Sequence, residues 1–206
     1  FIDPFLQSDI RDEIFGENFF WQYRKETSGG DCPNFAWIHD ENTEECPQLV
    51  HIVSGKSDIN QLITPLLYKI ASEVGFRIQL QRVKINLMSQ DPNKKNPNSY
   101  NRPHVDHNRE DAITGVYYVN DSDGDTILFE NEYTGENPGP LKELARVTPK
   151  AGTMLLFDSR IYHASTPPSS GLRSVINFIF WPAQPRDPND PFGPVKLPPG
   201  FDKFLY

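Results

Sequence analysis

The chain has 206 residues, a formal net charge of −8, 37% hydrophobic and 12% aromatic residues, and 19 prolines. This length suits a single domain with one well-buried core, and the prolines argue against an all-helical bundle. Because DNA and anionic membranes attract clustered positive charge, neither is an expected partner, whereas small-molecule, peptide and protein substrates stay open. No run of the sequence approaches the ~18 apolar residues of a membrane-spanning helix.

The two cysteines, Cys32 and Cys46, are too few for a disulfide framework in a chain of this size. We therefore expect reduced thiols and a cytoplasmic location. The sequence begins at Phe1 rather than at a methionine, which leaves room for a preceding segment.

A helical N-terminal support is expected over about residues 1–75. Ser8 is a suitable N-cap for a short helix that runs to about Phe20, and residues 25–48 are predicted to be irregular.

A second helix is predicted between an N-cap at Ser57 and the stop residue Gly75, because apolar residues recur there at helical spacing. Pro65 lies inside this run and predicts a kink, or a restart of the helix with Thr64 as its cap.

After Gly75 the apolar spacing changes to that of a β-strand. The apolar phase slips by one residue along this strand, which predicts a bulge near Gln81 and Arg82. Residues 89–103 lack periodicity and are expected to form a long polar loop that is either a functional lid or mobile.

From residue 112 onward, short apolar segments alternate with turns. This pattern predicts a mainly β fold, either a sandwich, a jelly roll or a barrel, over about residues 76–182. The proline-rich tail, residues 183–206, is expected to extend over the surface. The predicted strands are 112–120, 126–130, 145–148, 153–157, 161–165 and 173–181.

Three residues form a candidate metal site. His104 and Asp106 are two positions apart, so on an extended segment both side chains point to the same side. With His163 as a third ligand they make a two-histidine, one-carboxylate set that leaves coordination positions open, as non-haem Fe(II) requires. A structural zinc site would favour a filled coordination sphere with cysteines, which are distant in this sequence.

Arg173 follows ten residues after His163, on an otherwise apolar strand. One interpretation is an exposed arginine at the start of the strand. Taken together with the candidate metal site, a buried guanidinium that binds a ligand carboxylate is the better explanation, because a buried charge is costly unless it is paired.

Residues 102–181 resemble the iron(II)- and 2-oxoglutarate-dependent dioxygenases, closest to the prolyl 4-hydroxylase branch. The opening DPFL (3–6) also resembles that family. The segments that carry the resemblance are RPHVD (102–106), TGVYYVND (114–121), GDTILFE (124–130), PKAGTMLLFDSRIYHAS (149–165) and GLRSVINFIFW (171–181).

This resemblance implies a double-stranded β-helix, or jelly roll, in which His104, Asp106 and His163 bind Fe(II) and act in catalysis. It implies that 2-oxoglutarate and O2 are co-substrates, with ascorbate as a stimulant. The implied reaction hydroxylates an unactivated C–H bond of a prolyl residue, another amino acid, a peptide or a protein, with release of succinate and CO2. Asp106 is the carboxylate that related halogenases lack.

The resemblance also implies a 2-oxoglutarate site in which Arg173 pairs with the distal carboxylate. Thr114 resembles the family threonine that binds the same carboxylate. Asn86 lies where prolyl hydroxylases carry a tyrosine. Family members often continue Arg-x-Ser, which is absent here, so Thr114 or Tyr100 would supply the missing hydroxyl.

Asn177, Trp181 and Tyr117 are candidates for the substrate pocket. Asn177 and Trp181 share the strand parity of Arg173, although a core position is favoured for Trp181. Either Tyr117 or its neighbour Tyr118 must face inward.

The remaining histidines and the acidic turn are not expected to bind metal. His107 is expected at the surface or behind the ligands, and His39 and His51 lie in the loop-rich N-terminal part. Residues 121–125 are expected to form a hairpin turn rather than a calcium loop.

Two alternatives use the same strands. One is a cupin-like metal-binding or isomerase module, for which Arg173 would have no purpose. The other is a non-catalytic relative that acts as a scaffold, against which the intact ligand set argues.

Overall fold

The computed structural model describes residues 1–27, 38–54, 58–91, 96, 98–183 and the strand at 204–205. Ten strands and two helices lie in these parts of the chain. In chain order they are α1 (Pro4–Ile14), β1 (Gln22–Arg24), β2 (Gln48–Ile52), α2 (Asp58–Val74), β3 (Ile78–Ser89), β4 (Ile113–Tyr118), β5 (Thr126–Glu132), β6 (Glu143–Val147), β7 (Met154–Asp158), β8 (Ile161–Ser165), β9 (Leu172–Pro182) and β10 (Phe204–Leu205).

The strands form two antiparallel sheets, and the mainly β, jelly-roll prediction is confirmed. The major sheet has the order β1-β2-β3-β9-β4-β7-β10, and the minor sheet has the order β6-β5-β8. Apolar side chains from both sheets form a cluster between them: Val116, Tyr118, Leu128, Leu155, Phe157, Ile161 and Val175.

The two helices cover the other face of the major sheet. Alternate residues of its central strands, such as Ile85, Tyr117 and Phe178, pack with Ile63 and Ile70 of α2 in the largest core cluster. Because side chains alternate along a strand, the intervening residues point into the space between the two sheets. The candidate site lies in that space.

Helix α1 begins and ends earlier than predicted. Asp3 is its N-cap, since its carboxylate accepts a hydrogen bond from the Phe5 amide at 2.9 Å, and Pro4 occupies the first turn. Ser8 lies inside the helix, where its hydroxyl donates to Asp12 at 3.3 Å. The prediction of Ser8 as the cap is therefore wrong.

Helix α2 is one element through Pro65, so the predicted restart at Thr64 is wrong. The Thr64 hydroxyl instead donates back to the Asn60 carbonyl at 2.7 Å. Five buried side chains on one face anchor the helix against the sheet: Ile59, Ile63, Leu66, Ile70 and Val74. Ser57, the predicted cap, lies outside the described residues.

Strand β3 contains the predicted irregularity, because its register with β9 shifts between Leu80 and Arg82. After the shift, Val83 and Ile85 pack in the core cluster on the helix side. Lys84 and Asn86 consequently line the cavity between the sheets.

The major sheet also extends into the N-terminal third of the chain. Strand β2 pairs with β3, and β1 pairs with β2. The sheet therefore starts before residue 76, and β1 and β2 lie on either side of the segment that was expected to be irregular.

Two other predictions concern segments of which only some residues are described. In the 89–103 loop, residues 92–95 and 97 lie outside the described part, whereas Tyr100 forms a bridge with Thr43. Of the C-terminal tail, only Ala183 and β10 are described, and β10 pairs with β7.

The cysteine prediction is tested at one position, since Cys46 is free and buried and Cys32 lies outside the described residues. Within the described ranges, no helix is long and apolar enough to cross a membrane.

Candidate metal and co-substrate site

The backbone brings the two candidate histidine ligands together. His104 lies on an extended segment that pairs with β8 through His163, with reciprocal amide-to-carbonyl bonds of 3.0 and 2.9 Å. The amide of Asp106 bonds to the Ser159 carbonyl at 3.0 Å. As a result, ligand atoms of all three residues lie within 4.8 Å of one another.

Both imidazoles are oriented by main-chain carbonyls. His104 Nδ1 lies 3.1 Å from the Arg102 carbonyl, and His163 Nδ1 lies 3.1 Å from the Ile161 carbonyl. Because a carbonyl only accepts, each Nδ1 carries the proton and each Nε2 keeps a free lone pair. Burial, and secondarily the nearby His163, lower the pKa of His104 to about 3. This side chain is therefore neutral, as a metal ligand requires.

The Asp106 carboxylate is 4% exposed but well supplied with polar contacts. One oxygen, Oδ2, accepts from the Thr114 hydroxyl at 3.0 Å and from Asn177 Nδ2 at 3.2 Å. The other, Oδ1, pairs with Arg82 at 3.1 Å.

Electrostatics keeps this carboxylate ionised. Burial raises the pKa of Asp106, but the electrostatic attraction of His163 and of the Arg82 guanidinium outweighs burial and brings the pKa well below its usual value. Two imidazoles held by carbonyl groups and one ionised carboxylate are a donor set that fits Fe(II).

Arg173 is a buried guanidinium, 4% exposed, at the inner end of β9. Its Nε donates to the Gly124 carbonyl at 2.6 Å, and its Nη2 donates to the Thr126 hydroxyl at 2.8 Å. Neither of these two hydrogen bonds uses the third nitrogen, Nη1. Within the described part of the chain, no carboxylate lies within ion-pairing distance of it. Burial lowers the pKa of Arg173, and a buried cation of this kind favours an anionic ligand.

Gly124 is needed for this arrangement. A Cβ atom at this position would lie 2.7 Å from the Thr166 carbonyl oxygen and 2.8 Å from Arg173 Cδ. The backbone therefore approaches the arginine more closely than any other residue type would allow.

One cavity connects the three candidate ligands with Arg173. It contains about 500 Å³ of empty space including its open mouth. Asn86 and Asn177, both predicted from the sequence, line it as well. Their Oδ1 atoms are buried and have no hydrogen-bond partner among the described residues.

Thr114 and Tyr100, which were expected at the co-substrate, are not among the residues that line the cavity with Arg173. Thr114 bonds to Asp106 and to Ser159, at 3.0 and 2.9 Å. The Tyr100 hydroxyl donates to Asp40 at 2.6 Å. The hydroxyl beside Arg173 belongs instead to Thr126.

Tyr117 and Trp181 do not line the cavity. Tyr117 faces the helices in the main core, and its neighbour Tyr118 points the other way and donates to Thr126 at 3.0 Å. Trp181 stacks with His107 at 5.6 Å between ring centroids and lies under the Arg109 guanidinium. Its favoured reading as a structural aromatic agrees with these contacts.

His39 and His51 are not part of the candidate metal site. His39 is exposed, and His51 bonds to the Phe20 carbonyl at 2.9 Å. The acidic turn 121–125 joins β4 to β5, and its carboxylates accept bonds from the protein: Asp121 from Ala151 at 2.8 Å, and Asp125 from Thr148 at 2.8 Å.

Five polar residues that line the cavity were not predicted as site residues from the sequence: Thr27, Gln48, Lys84, Thr126 and Ser165. Lys84 did carry a signal, since it lies between Val83 and Ile85 on a strand whose opposite face is apolar. Thr27 and Gln48 carried none, because their position depends on how β1 and β2 join the sheet.

Comparison with known proteins agrees with this geometry. Residues 92–181 match the family model described as the 2OG-Fe(II) oxygenase superfamily. A comparison with curated proteins finds no match.

Solved structures show the same fold at low sequence identity. The epimerase SnoN, in complex with Fe3+, α-ketoglutarate and nogalamycin RO, aligns over 98% of this chain and 84% of its own, with 13% identity and a TM-score of 0.58. AviO1 from Streptomyces viridochromogenes aligns over 89% and 88%, with 14% identity and a TM-score of 0.52.

A prolyl hydroxylase from Trichoplax adhaerens, in complex with a hypoxia inducible factor peptide fragment, aligns over 86% of this chain and 89% of its own, with 14% identity and a TM-score of 0.47. That degree of similarity favours no particular substrate.

Proposed function

We propose that the protein hydroxylates an unactivated C–H bond of an amino-acid, prolyl or peptide substrate, since residues 92–181 match the family model of the 2OG-Fe(II) oxygenase superfamily. One observation carries the proposal. Two carbonyl-oriented imidazoles and a buried carboxylate converge in a cavity that also holds a buried guanidinium without a carboxylate partner in the described chain.

His104, Asp106 and His163 hold Fe(II) in this proposal. Arg82 and Thr114 act behind them, because they bond to Asp106 and fix the direction of its carboxylate. Such outer contacts orient a ligand before the metal arrives.

Arg173 and Thr126 bind the distal carboxylate of 2-oxoglutarate. Thr126 Oγ already accepts from Arg173 and from Tyr118, so its own proton is available to a carboxylate in the cavity. Asn86 lies on the same wall and contributes a further polar contact. Fe(II) and 2-oxoglutarate, when bound here, would activate O2 as the oxidant: one oxygen atom would enter the substrate C–H bond and the other would enter succinate, with loss of CO2.

The first test compares Asp106→Ala with His39→Ala. The Asp106 variant should lose Fe(II) binding, measured by calorimetry, and the slow conversion of 2-oxoglutarate to succinate in the absence of a prime substrate. The exposed His39 serves as the control and should change neither. If both variants behave alike, the ligand assignment is wrong.

The second test concerns the co-substrate. Arg173→Ala should weaken 2-oxoglutarate binding by about 2–3 kcal/mol, because a buried charge-assisted pair is lost. Arg146→Ala, which removes a partly exposed arginine with protein partners, should leave the affinity unchanged. Unaltered affinity in the Arg173 variant, measured by anaerobic calorimetry, would contradict its role.

A cupin-like isomerase remains the contrasting function, and Arg173 argues against it because such a module has no need of a buried anion site. An anaerobic mixture of the protein with Fe(II) and 2-oxoglutarate separates the two. The oxygenase should develop the purple charge-transfer band of the chelated co-substrate.

A further inference from the structure

Asn177 brings a carboxamide to the metal-ligand end of the cavity. It lies on the same face of β9 as Arg173, four residues further along, so about 13 Å of extended strand separates the two residues. The side chain is buried, and its Nδ2 donates to Asp106 Oδ2 at 3.2 Å. A group held by Asn177 is therefore close to the proposed iron ligands and distant from the arginine proposed for the co-substrate.

The hydrogen bond to Asp106 determines how this carboxamide is oriented. An ionised carboxylate only accepts hydrogen bonds, so the amide nitrogen of Asn177, and not its oxygen, must face Asp106. The oxygen, Oδ1, is buried and has no hydrogen-bond partner among the residues that the structure describes. A buried acceptor without a donor is unfavourable. This oxygen therefore favours a ligand that carries a hydrogen-bond donor.

The proposed co-substrate cannot supply that donor. Ionised 2-oxoglutarate has two carboxylates and a ketone, which are all hydrogen-bond acceptors, and it carries no N–H or O–H group. Asn86, which lines the cavity from β3, likewise has a buried Oδ1 without a partner in the described part of the chain. The remaining ligand of the proposed reaction is the prime substrate. Among the amino-acid, prolyl and peptide substrates, an N–H group is the donor that all carry except an internal prolyl residue.

We propose that Asn177 is a specificity-determining residue, whose Oδ1 accepts a hydrogen bond from an N–H group of the prime substrate within a few bonds of the C–H bond that is hydroxylated. This rests on the proposed oxygenase function and narrows its substrate class. Free amino acids, and peptide residues with a hydrogen on the α-nitrogen, meet the requirement. An internal prolyl residue does not, because its nitrogen carries no hydrogen.

The wild-type holoenzyme provides the first test, with the common L-amino acids and blocked acetyl-Gly-X-Gly-amide peptides as probes and succinate formation as the readout. We expect at least one probe with a hydrogen on the α-nitrogen to stimulate 2-oxoglutarate turnover and to gain one oxygen atom at that residue by mass spectrometry. Its fully N-methylated counterpart keeps the side chain but lacks the donor, so kcat/KM should fall at least about 10-fold. Equal kcat/KM for the pair, or oxidation of the prolyl peptide alone, would overturn the proposal.

Substitution of Asn177 separates the hydrogen bond from the bulk of the added methyl group. Asn177→Leu has a similar shape but no acceptor, so the preference for the N–H probe over its N-methylated counterpart should largely disappear. Thr114→Val is the matched control, because it removes another hydrogen bond to the same Asp106 oxygen. It should weaken Fe(II) binding, measured by calorimetry, without changing the preference. Asn18→Leu, at an exposed position, should leave all kinetic constants unchanged.

The outcomes distinguish this proposal from the oxygenase function on which it rests. A preference that stays intact in Asn177→Leu, or that falls equally in Thr114→Val, would overturn the role of Asn177. If the wild-type protein turns over 2-oxoglutarate but no probe with an N–H group stimulates it, the substrate class is wrong and the oxygenase function stands. If the protein neither binds Fe(II) nor turns over 2-oxoglutarate, the oxygenase function itself fails.

Discussion

Asp106 illustrates at the scale of single residues how the site is assembled before any ligand binds. A buried carboxylate is costly in isolation, yet this one accepts bonds from Arg82, Thr114 and Asn177. The two imidazoles are similarly held by carbonyl groups. The geometry of the metal ligands is therefore determined by the protein.

The lowered pKa of the partly buried His104 leads to a pH prediction for the metal-free protein. In the unfolded chain a histidine binds a proton below pH ~6.5, whereas the folded-state pKa of His104 is lowered to about 3, chiefly by burial. The unfolded state therefore binds more protons between these values, and stability falls as the pH falls. The contribution is about 1.4 kcal/mol per pH unit at most.

Urea unfolding of the metal-free protein between pH 7 and pH 4 measures this effect. His104→Asn removes the titrating group and should show a shallower loss of stability on acidification. Asp106 adds a loss of the same sign at lower pH, since its folded-state pKa is also lowered. Identical slopes for the variant and the wild type would refute the buried neutral histidine.

Residue spacing could predict which side chains carry the chemistry but not all of their partners. His104, Asp106 and Arg173 could be identified because local sequence patterns mark them. The first two are two positions apart, and Arg173 is a charged residue in an otherwise apolar strand. Thr126 was not assigned to the co-substrate, because that choice depends on which end of β4 lies near Arg173: Tyr118, rather than Thr114, pairs with Val175 of β9. For Tyr117 the uncertainty was the face of the strand, since neighbouring tyrosines on one strand face opposite sides of the sheet.

At the scale of secondary-structure elements, a single irregularity in strand β3 determines which of its side chains line the cavity. The register shift between Leu80 and Arg82 allows Val83 and Ile85 to face the helices while Lys84 faces the cavity. A one-residue slip exchanges the two faces of a strand. This element was predictable because both apolar phases are visible in the sequence.

Helix α2 supplies a prediction about stability. Pro65 lies at an exposed position in the helix interior, where it lacks the amide proton for the Gln61 carbonyl. Pro65→Ala should stabilise the protein by about 1–2 kcal/mol, because the gain of about 3 kcal/mol in the helix is partly offset by a more flexible unfolded chain.

Chemical denaturation can test this against a neighbour. Tyr68→Ala, at a position that is 75% exposed on the same helix, should change the unfolding free energy by less than about 0.5 kcal/mol. A destabilised Pro65→Ala variant would indicate that the helix needs a bend that alanine does not support.

At the scale of the whole molecule, Glu45 connects the N-terminal third of the chain to the segment that carries the candidate ligand His104. Its carboxylate accepts from the amide and hydroxyl of Thr27, at 2.7 and 3.0 Å, and from the amide of Arg102, at 2.6 Å. Thr27 lines the cavity, and Arg102 lies two residues before His104. Contacts of such sequence separation were invisible in the sequence, because no local pattern marks them.

Replacement of Glu45 by alanine should loosen this junction. The amides of Thr27 and Arg102 lose their acceptor, so we expect faster hydrogen exchange at both and a loss of about 1–3 kcal/mol in stability. Glu130→Ala, which removes an exposed partner of Lys142, should leave exchange at these two amides unchanged. Unaltered exchange in the Glu45 variant would show that other contacts hold the segment.

The residues that line the cavity come from two parts of the chain: the segment that matches the family model and the part that precedes it. The segment that matches the superfamily, residues 92–181, contains the proposed iron ligands and Arg173. Thr27, Gln48, Lys84 and Asn86 face the same space from outside that segment. Mutations in the earlier stretch can therefore change the lining of the cavity without changing the proposed iron ligands or Arg173. Directed evolution for altered selectivity is best begun there.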